Sequence, residues 1–209
     1  MTFEPDFKEA LQALPEKEKD KLILRLLKKD IKLAKRLHFE LVENASIEVK
    51  RDQFSQEMLK RIELASKSLY SFGDLLMELR AISGKITEYL FITKDKYGEA
   101  SLNCLMIRHF LELNTKRIST GTRGKTYTLS IYIIARVFKL LLLIQKQHED
   151  LHLDFRNDIQ EIGQLIGNNP VLMHLAIHNG LDVNWLNDFN IPDNLDEIQK
   201  ELRMKGFLK

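Results

Sequence analysis

The sequence predicts an all-α protein of packed antiparallel helix pairs, arranged as an irregular helical bundle or a solenoid-like stack. Apolar residues recur at helical spacing along most of the chain, and no stretch shows period-2 alternation. Only 9 glycines and 4 prolines punctuate 209 residues, so few places force a turn. An apolar content of 44% suffices for a core, while 30% charged residues argues against residence in a membrane. By length this is a single all-helical domain, 1–209, with residues 1–45 a candidate N-terminal hairpin annex.

Phe7, Leu11 and Leu14 mark a short first helix. The segment "LPEKEKDKLILRLLKKD" then places Pro15 in a first turn, Glu16 and Glu18 near the start and Lys28-Lys29 at the end. These residues match the backbone needs and the dipole of a helix at both termini. Ile31, Ala34, Leu37, His38 and Leu41 mark a partner helix, and the short connection at Asp30 predicts an antiparallel hairpin. Ser46 is an N-cap candidate for a stripe of Phe54, Met58, Ile62, Ala65 and Leu69. The apolar phase continues to Leu90, but one helix over 46–92 would be about 70 Å long. A break is expected at Gly73-Asp74, a C′ residue type followed by an N-cap type.

Tyr97–Ile118 and Tyr127–Gln147 form the next predicted pair, joined by "STGTRGKT". At 100° per residue from Arg136, the apolar residues of the second helix cover an arc from about 40° to 260°. Thr128, Tyr132, Arg136, Lys139 and Lys146 lie outside it. Phe155–Ile166 and shorter helices from Pro170 and Asp193 complete the chain, and no internal repeat aligns.

The formal net charge of +2 hides an uneven distribution. Between Leu113 and His148 there is no Asp or Glu but seven Lys and Arg, whereas from Asp150 onward ten acids face five bases. Such asymmetry concerns partners rather than fold. Lys116, Arg117, Arg123 and Lys125 bracket the stripe of Arg136, Lys139 and Lys146, with Tyr132 among them, and make up a candidate anion- or nucleic-acid-binding surface. The acidic segment after Asp150 is the candidate internal counterpart that would cover it.

Three short stretches resemble known motifs. His148-Glu149-Asp150-Leu151-His152 resembles the HExxH helix of zincins, which implies His148 and His152 as metal ligands and Glu149 as base. The metzincin extension departs here, with Phe155 in place of glycine and Asp158 in place of histidine, and no strand is present to line a cleft. Glu149–His152 also has ExxH spacing, but a di-iron site needs a second such pair, which the sequence lacks. A turn within "QKQHED" would leave both histidines in a loop. His174 and His178 form another i,i+4 pair. "STGTRGKTY" resembles a P-loop at Gly124-Lys125-Thr126, with Ser119 where that pattern has glycine and helix rather than strand before it. "VLMHLAIHNGLDVNWL" resembles the inner helix of an ankyrin repeat in one partial copy, and a helix ending at Gly180 accounts for it.

The sequence expectation is therefore a non-enzymatic binding or scaffold protein with no cofactor and no assigned catalytic residue. Its surface at 116–146 would take a protein partner or an anionic polymer. Nucleic-acid binding is the alternative, followed by a metal-dependent helical hydrolase. The acidic start lacks a secretory layout, and Cys104 is the sole cysteine, so a reduced thiol in a cytoplasmic protein is expected. The apolar run Leu129–Ile144 is interrupted by Arg136 and Lys139, which predicts a core helix and no membrane partner.

Overall fold

The computed structural model describes residues 3–68 and 71–208, with Arg123 described through its backbone alone. Among these residues there are eleven α-helices, one 3₁₀ segment and no strand. The helices are α1 Pro5–Ala13, α2 Glu16–Leu27, α3 Ile31–Leu41, α4 Ile47–Ser68, α5 Phe72–Thr93, α6 Lys96–Thr120, α7 Arg123–Gln145, α8 Arg156–Gly167, α9 Pro170–His178, α10 Asn184–Asn187 and α11 Leu195–Met204. The 3₁₀ segment, Glu149–Phe155, lies between α7 and α8. The chain divides into two compact units, residues 1–44 with 91–94, and residues 45–90 with 95–209.

In the first unit α1, α2 and α3 follow the predicted order. Pro15 precedes α2, and the Asp30 side chain caps α3 by accepting from the Leu33 N–H at 3.0 Å. α2 and α3 touch, yet α1, α2 and α3 contain no buried residue. Their sequences carry start and stop signals suited to helix, but their apolar faces are not closed.

The second unit holds the core. Ser46 caps α4, its Oγ accepting from the Val49 N–H at 3.3 Å. α4 and α5 run antiparallel: Arg61 pairs with Glu78, Lys85 with Glu57 at 3.1 Å, and Phe54 meets the Tyr89 ring at 5.4 Å. Leu69 lies outside the described residues. The cap of α5 falls three residues earlier than the Asp74 expectation. Ser71 is the cap: its Oγ accepts from the Asp74 N–H at 3.0 Å and donates to the Asp74 carboxylate at 2.6 Å. Asp74 is thus bound to the cap through its own N–H and carboxylate and is not itself the cap, and Gly73 is inside the first turn.

α6 is the centre of this unit. Leu102, Cys104, Met106, Leu111 and Ile118 are all buried, and they project to several sides of the helix. It runs antiparallel to α7, where Glu99 meets Lys139 and Asn103 meets Arg136. It runs parallel to α4 and to α8, where Asn114 donates to Ser66 and Arg108 pairs with Asp158 and Glu161. A helix packed on several sides has no single apolar stripe, and burying its polar residues is costly unless they find partners. Burial pushes the Cys104 thiol well above its ordinary pKa, with Asp158 adding to the effect.

The start of α6 carries a polar hub that the sequence reading missed. The Asp95 carboxylate accepts from the Gly98 N–H at 2.8 Å, from the Tyr89 hydroxyl at 2.8 Å and from the Arg51 guanidinium at 2.8 Å. The same guanidinium lies over the Tyr97 ring at 4.8 Å. Asp95 followed by Gly98 is a legible cap pattern, but Arg51 lies 44 residues away and is brought in by tertiary packing.

α8 and α10 approach closely because residue 163 has no side chain. A Cβ there would lie 2.4 Å from Asn187 Oδ1, 2.9 Å from Leu186 Cβ and 3.2 Å from the Asn187 backbone nitrogen. Gly163→Ala should therefore destabilise the fold by about 1–3 kcal/mol, as overpacking does. Alanine at an uncrowded mid-helix glycine would instead stabilise by about 0.5–1 kcal/mol. The sign of the shift in urea midpoint decides between the two.

Candidate binding surface at the α6–α7 end

The predicted eight-residue loop between α6 and α7 is only a two-residue turn, Gly121-Thr122. Helix continues through the hydroxyl-rich stretch, and hydroxyls within it are satisfied by helix carbonyls. Ser119 and Thr120 donate to the Lys116 carbonyl, and Thr126 donates to that of Thr122. Gly121 is required by crowding, since a Cβ there would lie 2.5 Å from Thr126 Cγ2 and 2.8 Å from the Phe72 ring. No strand precedes the turn, so the P-loop resemblance has no structural counterpart among the described residues.

The seven bases of the 116–146 span occupy three places. At the turn, Lys116 and Lys125 are exposed, and half-buried Arg117 lies over the Phe72 ring at 5.3 Å. The Arg123 side chain lies outside the described residues. Along the middle of α7, Tyr132 lies beneath Arg80 at 5.5 Å and Arg136 at 5.9 Å. Arg136 donates to Asn103 Oδ1, and burial lowers its pKa from the ordinary arginine value. Lys139 pairs with Glu99 at 3.2 Å. Lys146 is exposed at the far end, about 32 Å from Lys125 at 1.5 Å per residue.

The internal counterpart of the stripe is therefore α6, through Glu99 and Asn103. Two acids of the segment after Asp150, Asp158 and Glu161, instead hold Arg108, at 3.2 and 2.8 Å. The reason is register. Antiparallel packing sets residues near 100 beside residues near 138, a neighbourhood that a helical wheel of α7 alone cannot reveal.

Beside the turn lies an apolar cleft of about 240 Å³ lined by Gly121, Pro170, Val171, His174 and Leu175. The sequence places its far wall well. Pro170 opens α9, and Asn169 caps it by accepting from the Val171 and Leu172 N–H groups. The Asn169 amide also donates to the Thr115 carbonyl at 2.8 Å, which fixes α9 against the end of α6. His174 and His178 stack at 6.5 Å, both exposed.

The HEDLH residues are in a different setting. α7 ends at Gln145, the chain turns, and His148 caps the 3₁₀ segment by accepting from the Asp150 N–H at 3.4 Å. The His152 ring nitrogen lies 3.2 Å from the Gln147 carbonyl oxygen. His148 stands outside the 3₁₀ helix in an extended conformation and His152 within it, so the i,i+4 spacing of an α-helix face does not apply to the pair. Among the described residues no group of three His, Cys, Asp or Glu side chains could hold a metal ion. Gly124–Gln145 is long and apolar enough to cross a membrane, and 56% of its most apolar window is buried within the fold.

No family model, curated protein or solved structure matches the chain.

Proposed function

We propose that this is a non-enzymatic helical binding protein that receives a protein partner at the α6–α7 end. One observation carries the reading: exposed Lys116 and Lys125 flank a turn whose Gly121 also lines the apolar cleft. Such a place suits a segment that inserts one apolar side chain and presents acidic groups beside it. A contact of this kind combines a desolvated anchor with charge that fixes orientation. The commitment of Lys139 to Glu99 and Arg136 to Asn103 supports a compact peptide-sized contact over a track along a phosphate backbone.

Selection of displayed random peptides on the intact chain tests it. Recovered peptides should pair an apolar residue with Asp or Glu, and Lys116→Glu with Lys125→Glu should weaken them by roughly tenfold or more. If no such peptides emerge, the reading is wrong. If oligonucleotides bind with a steep salt dependence that the same reversals abolish, the nucleic-acid alternative replaces it.

A further inference from the structure

We propose that the α2–α3 hairpin docks on an anionic lipid surface, lying in the headgroup layer without crossing it. Ile23 is 50% exposed, Leu24 60% and Leu26 53%, and neither α1 nor α3 closes over them. Ile31, at the start of α3, is 61% exposed. Leu22, Ile23, Leu24, Leu26 and Leu27 cover about 200° of α2 at 100° per residue, with Arg25 on the opposite side. An open helical face this apolar marks an interaction site, and the charge beside it indicates which occupant fits.

Residues 16–21, the first turns of α2, alternate acid and base and cancel. The charge lies beyond them, where residues 22–37 hold six bases and one acid. That acid, Asp30, is occupied as the cap of α3, accepting from the Leu33 N–H at 3.0 Å. Arg36 pairs with Glu40 at 2.9 Å, whereas Arg25, Lys28, Lys29 and Lys32 are exposed and meet no acid among the described residues. Lys28 falls about 40° beyond Leu24, at the border of the apolar arc. From there a lysine can lay its stem along the apolar layer and keep its ammonium among lipid phosphates. Aliphatic side chains on one side with clustered bases beside them are what an interfacial helix presents to anionic lipid. An acidic protein fits less well. The exposed set on α2 is wholly aliphatic, without the aromatic anchors that dominate protein interfaces, and it projects from a helix instead of lining a groove. A fluid lipid surface needs no complementary shape. The sequence expectation of no membrane partner rests on α7, a core helix, and concerns spanning a bilayer, whereas the hairpin would lie on one. Docking uses residues of the first unit alone and does not depend on the α6–α7 surface.

Co-sedimentation of the full chain with lipid vesicles tests the docking. The protein should pellet with vesicles of mixed phosphatidylcholine and phosphatidylserine and detach as salt rises. It should bind vesicles of phosphatidylcholine alone roughly tenfold more weakly or less still. Lys28→Glu with Lys29→Glu should weaken binding to the mixed vesicles by roughly tenfold or more. Leu24→Glu with Leu26→Glu should do the same while leaving helicity by circular dichroism unchanged, since both side chains are exposed. Lys116→Glu with Lys125→Glu should bind the vesicles as the wild-type chain does. A wild-type chain that ignores the mixed vesicles overturns the proposal and leaves the face to an acidic protein. Binding that survives Leu24→Glu with Leu26→Glu is adsorption by charge alone and overturns it equally. Binding lost on reversing Lys116 and Lys125 would place the lipid contact at the α6–α7 end and overturn it too.

Discussion

Phe138→Ala should destabilise the protein by about 3–5 kcal/mol, the range for removing a buried aromatic. Phe138 has no exposed surface and sits edge-on to Trp185, with ring centroids 6.4 Å apart. Removing the ring would leave a void that the packed neighbours cannot fill, because Val137, Leu141 and Leu186 are themselves fully buried. Phe138→Leu, which keeps most of the volume, should cost clearly less. Urea denaturation monitored by circular dichroism measures both. A change near zero for the alanine variant would show that the apolar side of α7 has been misidentified.

Asp95→Ala should cost a comparable amount, about 3–5 kcal/mol. The Asp95 side chain is 6% exposed and that of Arg51 20%, so the alanine variant strands a cation in a poorly solvated place. It also removes the cap of α6, worth about 1 kcal/mol by itself, and leaves the buried Tyr89 hydroxyl without this acceptor. Asp95→Asn keeps an acceptor oxygen for the Gly98 N–H and should fall between wild type and alanine. Adding Arg51→Met to Asp95→Ala should recover part of the loss, because the stranded charge is then gone. If Asp95→Ala costs less than 1 kcal/mol, the hub is solvated and does not support the start of α6.

Helix existence was legible because apolar periodicity survives whatever the helices pack against. The α7 arc illustrates this: Val137 and Phe138, inside it, are fully buried, while Lys139, outside it, keeps 36% of its side chain exposed. Helix ends were less legible, since glycine and threonine permit a loop without requiring one. Between Ser119 and Thr126 the burial of Thr126 and the approach of Phe72 to Gly121 favour helix, and both are tertiary effects. At Ser71 the competing caps were three positions apart, and the serine hydroxyl took the role assigned to Asp74. The four-residue α10 carries too little pattern to be found from sequence. The candidate surface was half visible. Lys116 and Lys125 are exposed cations as composition suggested, but the cleft beside them needs α9 to return against the end of α6. The turn within "QKQHED" was readable from its polarity, and it removes the helical geometry on which the HExxH resemblance depends.

The parallel neighbours of α6 bear on how the chain reaches its native state. An up-and-down bundle can form by zipping consecutive helices, each contact closing a short loop. Here Asn114 meets Ser66 across 48 residues, and Arg108 meets Glu161 across 53. Closing such loops costs chain entropy before the contacts repay it, which slows the search relative to a helical protein with local contacts. Until α4 and α8 have both arrived, α6 presents apolar surface on more than one side. Any intermediate that pairs only α6 with α7 is thus a sticky species, and crowded refolding should lose material to aggregation at that step rather than from the native fold.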